Sequence, residues 1–381
     1  MRVYESLGQW EKNATMFRPG AMAGWGRTLA AITLLASATG IGLAQNNSDD
    51  AFLPSPVRSV STIPTNGDVN PYGVAFVPDN FQTGSGPLKH GDILVSNYNN
   101  SANLQGTGTT IVRISKSGPA TTFFQGKAPL GLSTALGTLQ YGFIVVGNAL
   151  TEKGTAATAG PGSLLVINNQ GKLIQTFTSA AIQGPWDMAL VDGGDSAIAF
   201  VSNALTGTVI RLDFKVSSSG LTLLSTKTIA SGYVHRGDPV TLFVSPAGLV
   251  YDGRRNVLYV ASSGDNAVFA VRNAADRQTD GGLGSIIYQD NAHLHGALAM
   301  TMAPNGHLLV SNSDGINPDA NEPSEIVEFT TDGAFVKQLS VDPNPGGAFG
   351  LAVRTTADMA IFAAVDDNTN SLLIWTLNLQ E

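Results

Sequence analysis

An apolar run that closes on a small polar residue, followed by an Asn- or Asp-rich turn, recurs six times along the chain. The copies are GDILVSNYNN at 91–100, YGFIVVGNAL at 141–150, SAIAFVSNAL at 196–205, RNVLYVASSGDN at 255–266, GHLLVSNSDG at 306–315 and MAIFAAVDDN at 359–368. A β-rich unit repeated at a period of about 50 to 60 residues predicts the blades of a propeller. Runs apolar on both faces predict strands sandwiched between neighbouring sheets, since a strand with one wet face would alternate.

Upstream of each run lies a shorter segment with small residues, read as the innermost strand of its blade. These segments align on Gly73, Gly131, Asp187, Gly248, Ala299 and Gly350, with PLGLS at 129–133 and PWDMAL at 185–190 among them. Small residues suit a position where backbones crowd around an axis. Blade 1 is predicted as strands at 71–76, 92–96, 110–114 and 120–124. The sixth copy supplies strands at 350–353, 360–364 and 372–377 but no outer strand. The alternating segment 57–63 has no other partner, so it should complete the last blade and leave no open edge at the seam. The predicted fold is all-β, a six-bladed β-propeller of four-stranded blades over 57–381.

Composition supports this. Glycine is abundant at 43 residues and only 13% of residues are charged, as suits strands joined by tight turns. The net charge of −8 disfavours nucleic acid and anionic membrane surfaces as partners. With no cysteine there is no disulfide, thiolate nucleophile or lipid-anchored cysteine.

The first 44 residues stand apart. Arg18 and Arg27 precede an uncharged apolar stretch at 28–43, and Gly42, Leu43 and Ala44 place small residues where a signal peptidase reads them. The prediction is a signal peptide at 1–44, with translation starting at Met1, Met16 or Met22 and the mature chain near Gln45. It implies export to a periplasmic or extracellular compartment. The alternative, a membrane anchor, meets a run short of the roughly 20 residues a spanning helix needs. The polar stretch 45–56 is predicted to be a disordered lead-in.

Candidate chemistry concentrates in the loops joining an outer strand to the next inner one. One carries Tyr233, His235, Arg236 and Asp238, the next carries Asp290, His293 and His295, and Trp186 with Asp187 opens the neighbouring inner strand. Brought together on one rim, they would bind an anionic or sugar-like ligand, or act as acid and base. The plainer alternative is that they satisfy loop backbone groups. The oxygen-rich turn holding Asp314, Asn317, Asp319, Asn321 and Glu322 is a candidate site for calcium or another divalent ion, although it lacks EF-hand spacing. The recurring Asn97, Asn148, Asn203 and Asn312 are read as turn or cap residues.

The segments SPAGLVYDGRRNVLYVASSGDNAVFAV at 245–271 and MTMAPNGHLLVSNSDG at 300–315 resemble NHL repeats, including those of exported bacterial NHL-like proteins. The resemblance covers nearly all of 57–379 and extends to the gluconolactonase and streptogramin lyase groups of the same propeller superfamily. It implies a ligand site at the channel mouth, on the face where the inner strands begin. The lactonase-like pattern would hold a divalent metal at the channel centre, and Asp187 alone matches one of its ligands. The lyase pattern would place its histidine at His293 or His295, without the surrounding motif. Two functions follow: a binding propeller for a small molecule, glycan or protein, or a metal-dependent hydrolase or lyase using His293, His295, His235 and Asp187 at the same mouth.

Overall fold

The computed structural model describes Phe52, 58–313 and 315–379. The predicted leader at 1–44, Val57 and Asp314 therefore lie outside the described residues. Six four-stranded antiparallel sheets form in chain order. Their inner strands are Val69–Phe76, Leu132–Leu139, Pro185–Asp192, Pro246–Asp252, Ala297–Met302 and Ala348–Thr355. Each sheet packs on the next through its own apolar core, and the sixth core joins the last blade back to the first.

That arrangement explains the continuous apolar runs. In the second strand of blade 1, Leu94 enters the core shared with blade 2, while Ile93 and Val95 enter the core shared with blade 6. Successive side chains point to opposite faces, and both faces of an inserted blade are dry. The closing strand is Arg58–Ser61, which pairs antiparallel with the last strand in the register Arg58 to Ile374 and Ser61 to Ser371. The ring is thus clasped by the start of the propeller, as the sequence predicted.

One residue of the expected lead-in is described, and it is anchored. Phe52 is buried between blades 5 and 6 with its ring edge-on to Phe362 at 6.0 Å. Its N–H donates to both carboxylate oxygens of the fully buried Glu328, each at 2.8 Å. Glu328 also meets His307 Nδ1 at 2.6 Å.

The inner strands share a bulge. In five blades the register slips by one residue near the strand start, as between Pro185 and Met188, and the extra position falls at Gly73, Asp187, Gly248, Ala299 and Gly350. A Cβ at Gly350 would lie 1.8 Å from Tyr72 O, and one at Gly248 2.4 Å from Leu298 O, so neighbouring backbones fix glycine there.

Blade 2 departs from the predicted register. Its strand begins at Leu132, and its bulge between Leu132 and Leu136 holds one more residue than the others. Gly131 belongs to the preceding loop at φ +61°, a left-handed conformation open to glycine, and is not the counterpart of Gly73. The extra length has a use. Ser96 and Ser202 hydroxyls accept N–H groups of Gly73 and Asp187 and donate to Ser133 O and Ala247 O of the next blade at 2.9 and 2.7 Å. Blade 2 has Gly147 at that position, and the inserted Ser133 donates to Pro185 O at 2.7 Å in its place.

Candidate functional site

The bulges divide the axis into two unlike halves. On the face where the inner strands begin, Tyr72, Tyr98, Trp186, Leu242, Phe243 and Leu298 form one buried cluster. Tyr72 stacks on Tyr98 at 4.4 Å and on Phe349 at 4.5 Å, and Trp186 sits edge-on to Tyr98 and Phe243 at 5.4 and 5.6 Å. Phe243 comes from a hairpin the sequence reading missed, Arg236–Asp238 paired with Leu242–Val244. It inserts between blades 3 and 4, and Gln105 Nε2 of blade 1 donates to its Val240 O at 3.2 Å. The expected mouth is therefore plugged. Trp186 is a buried plug residue rather than a rim residue.

Below the bulges the axis is open. A cavity of about 580 Å³ is lined by all six inner strands from Val74, Thr134, Asp187, Leu249, Ala299 and Gly350 down to Pro78, Gly253 and Arg354. It opens on the face where the inner strands end, opposite to the one predicted. Arg354 at this rim pairs with Asp79 at 2.7 Å. Each inner strand is the edge of its sheet, so its unpaired N–H and C=O groups face the channel.

Asp187 closes this channel. It is buried, its Oδ1 accepts the N–H of Met188 at 2.8 Å, and its Oδ2 accepts that of Leu249 in the next blade at 2.9 Å. Burial pushes its carboxyl up to about 7 against the opposing pull of these two bonds. It is the one carboxylate among the described lining residues.

The other predicted groups do not converge. His235 turns toward blade 3, where its Nδ1 meets Tyr233 O at 3.0 Å beside Gly207. Tyr233 is buried and its hydroxyl donates to Leu283 O at 3.0 Å. Asp238 accepts the N–H groups of Val240 and Thr241 at 2.8 and 3.0 Å, and the Thr241 bond leads the causes that hold its carboxyl below the ordinary range. Arg236 is exposed. In the next loop His293 bonds Asp290 and stacks on Phe335 at 3.8 Å, on the outer strand of blade 5. Burial raises the Asp290 carboxyl, but the His293 bond and others outweigh it and leave it lowered. His295 is buried, with Nδ1 bonded to Asn317 O.

The described side chains of the candidate calcium turn are engaged with one another and with neighbouring loops. Asp319 accepts the Asn321 N–H at 2.8 Å, Asn317 donates to Asn291 O at 2.6 Å, and Glu322 meets Gln338. Among the described residues no group of three or more His, Asp or Glu gathers that could hold a metal ion. A divalent ion at the channel centre is likewise not matched by one carboxylate already accepting two N–H groups. Two of the recurring asparagines are staples: Asn203 bonds Gln183 N and Ala181 O, and Asn312 bonds His295 N and His293 O.

No protein-family model matches the sequence, and no curated protein does. Solved structures do match in fold. An oxidoreductase (glucose dehydrogenase) of Thermus thermophilus is 11% identical over 84% of this chain and 99% of its own, at a TM-score of 0.50. An α-L-arabinofuranosidase of Fusarium graminearum is 14% identical over 85% and 98%, also at 0.50. A calcium-binding regucalcin of Agrobacterium tumefaciens is 14% identical over 84% and 96%, at 0.48. The chain is a six-bladed β-propeller. At these identities the likeness extends to the fold alone.

Proposed function

We propose that this propeller binds a small organic molecule in its central channel, entering from the face where the inner strands end and meeting Asp187 at the closed end. One observation carries the reading: an open cavity from all six blades ends on a single buried carboxyl whose proton is held to about 7. Its volume of about 580 Å³ falls in the range of roughly 300–1,000 Å³ that encloses small molecules. That favours a small molecule over a glycan chain or a protein. Hydrophobic walls such as Leu136, Met188, Leu249 and Leu351 alternate with backbone edges, so the ligand has a compact apolar body. At neutral pH a basic nitrogen on that body arrives already protonated, so the Asp187 carboxyl would release its proton to solvent and form an ion pair with it in a site poorly screened by water.

Cyclohexylamine and its neutral counterpart cyclohexanol are suitable probes. Calorimetric titration at pH 7 should show saturable binding of the amine and at least tenfold weaker binding of the alcohol, with Asp187→Asn removing the difference. Equal affinities, or an amine affinity untouched by Asp187→Asn, would discard the reading.

The same carboxyl supports a second reading, an acid–base enzyme of the hydrolase or lyase kind, because a group titrating near neutrality suits proton transfer. Here Asp187 would be the acid or base. His235, His293 and His295 lie in the loops on the far side of the aromatic plug and would take no part.

A further inference from the structure

On the plugged face, away from the channel, a groove of about 270 Å³ runs between the hairpin, the turn at 204–205 and the short 3-10 turn Ala156–Thr158. Its floor is apolar, from Ala156, Leu205 and Phe243, and its wall holds His235 and Arg236. Gly237 makes the close approach possible, since a Cβ there would lie 2.7 Å from Ala156 Cβ. The nearest carboxylate in sequence, Asp238, is turned into the hairpin, where it caps Val240 and Thr241. Among the described residues no hydrogen bond or ion pair engages the Arg236 guanidinium, whose charge is the last of the causes that lower the Asp238 carboxyl.

We propose that this groove binds a small aromatic carboxylate, with its two oxygens on Arg236 and its ring on the apolar floor beside His235. A guanidinium presents paired N–H donors that match a planar carboxylate. The groove is smaller than the roughly 300 Å³ at which drug-sized pockets begin, which sets the ligand at a single ring. His235 adds direction: a carbonyl only accepts, so Nδ1 donates to Tyr233 O and the ring is held as a fixed wall.

The experiment titrates the full chain with benzoate, benzamide and phenyl phosphate, followed by calorimetry and by protein NMR shifts. Benzoate should saturate, and benzamide should bind at least about tenfold more weakly, as losing a charge-assisted bond implies. Arg236→Gln, a substitution of an exposed side chain, should weaken benzoate by about tenfold and leave benzamide unchanged. Leu205→Ala should weaken both ligands together. The proposal is overturned by absence of saturation with benzoate, by equal binding of benzoate and benzamide, or by an Arg236→Gln affinity equal to the parent's. Tighter binding of phenyl phosphate than of benzoate would overturn the assignment to a carboxylate.

Discussion

The two ends of the axis are built from the same six strands and behave oppositely. Above the bulges, Tyr72, Trp186 and Phe349 turn inward and meet Phe243 of the inserted hairpin, so the axis is filled. Below them Val74, Met188 and Leu351 leave about 580 Å³ open. The difference arises within three residues of one strand: Trp186 fills the plug, Asp187 occupies the bulge and Met188 lines the channel. A bulge re-aims side chains, and here it separates a sealed end from an open one.

Removing the plug is the strongest way to break the contrast. Trp186→Ala should cost about 3–5 kcal/mol in urea unfolding, as expected for an aromatic deletion in a packed core, and should connect channel and solvent on both faces. A loss below about 1 kcal/mol would show that the cluster does not seal the axis. The boundary is tested by pH. The Asp187 carboxyl keeps its proton to about 7 in the folded protein, whereas an unfolded Asp releases it near 4. The folded state therefore binds the extra proton between these values, and its contribution to stability is full below about pH 4 and declines as pH rises through 7. Between pH 5 and pH 8 the decline should be about 2–3 kcal/mol. Asp367 is raised in the same direction by burial and then by Asp366, so the quantity to measure is the parent curve minus that of Asp187→Asn. The variant should lack this slope and sit about 1–2 kcal/mol lower at acid pH, because an amide NH₂ then faces one of the two N–H donors. Parallel curves would remove Asp187 as the titrating group. The smallest effect belongs to the open rim, where Arg354→Gln breaks a pair with an exposed Asp79. It should change stability by about 0–1 kcal/mol, and a larger loss would mean the rim is more ordered than an exposed pair requires.

The fold was legible because its signal is repeated. Six apolar runs fixed the blade count, and the absence of an outer strand after 372–377 pointed to 57–63 as the clasp. Blade 2 was misread because PLGLS mimics the other inner strands in composition, while its strand starts at Leu132; a register set by Ser133 standing in for Gly147 depends on contacts across blades. Of the residues that line the open channel, Asp187 alone stands among the sequence candidates. The plug was not legible, since its rings come from several blades and a loop, and no local spacing joins Tyr72 to Phe243. A signal did exist for the hairpin in the apolar run Leu242, Phe243 and Val244 inside a connection otherwise read as a polar rim. His235 and His293 lie in loops that are neighbours in the ring, yet the Nδ1 of each is bonded within its own loop.

The clasp also sets a schedule. Arg58 leaves the ribosome early, but its partner Ile374 follows only about 300 residues later, a delay of roughly 15–60 s at translation speeds of about 5–20 residues per second. Throughout that interval the strand it pairs with has not been made, and only the 115–118 turn that Arg58 bonds is at hand. The sequence of that first strand, Arg-Ser-Val-Ser, is short and polar at three of four positions, a composition that keeps a waiting strand from recruiting the wrong neighbour.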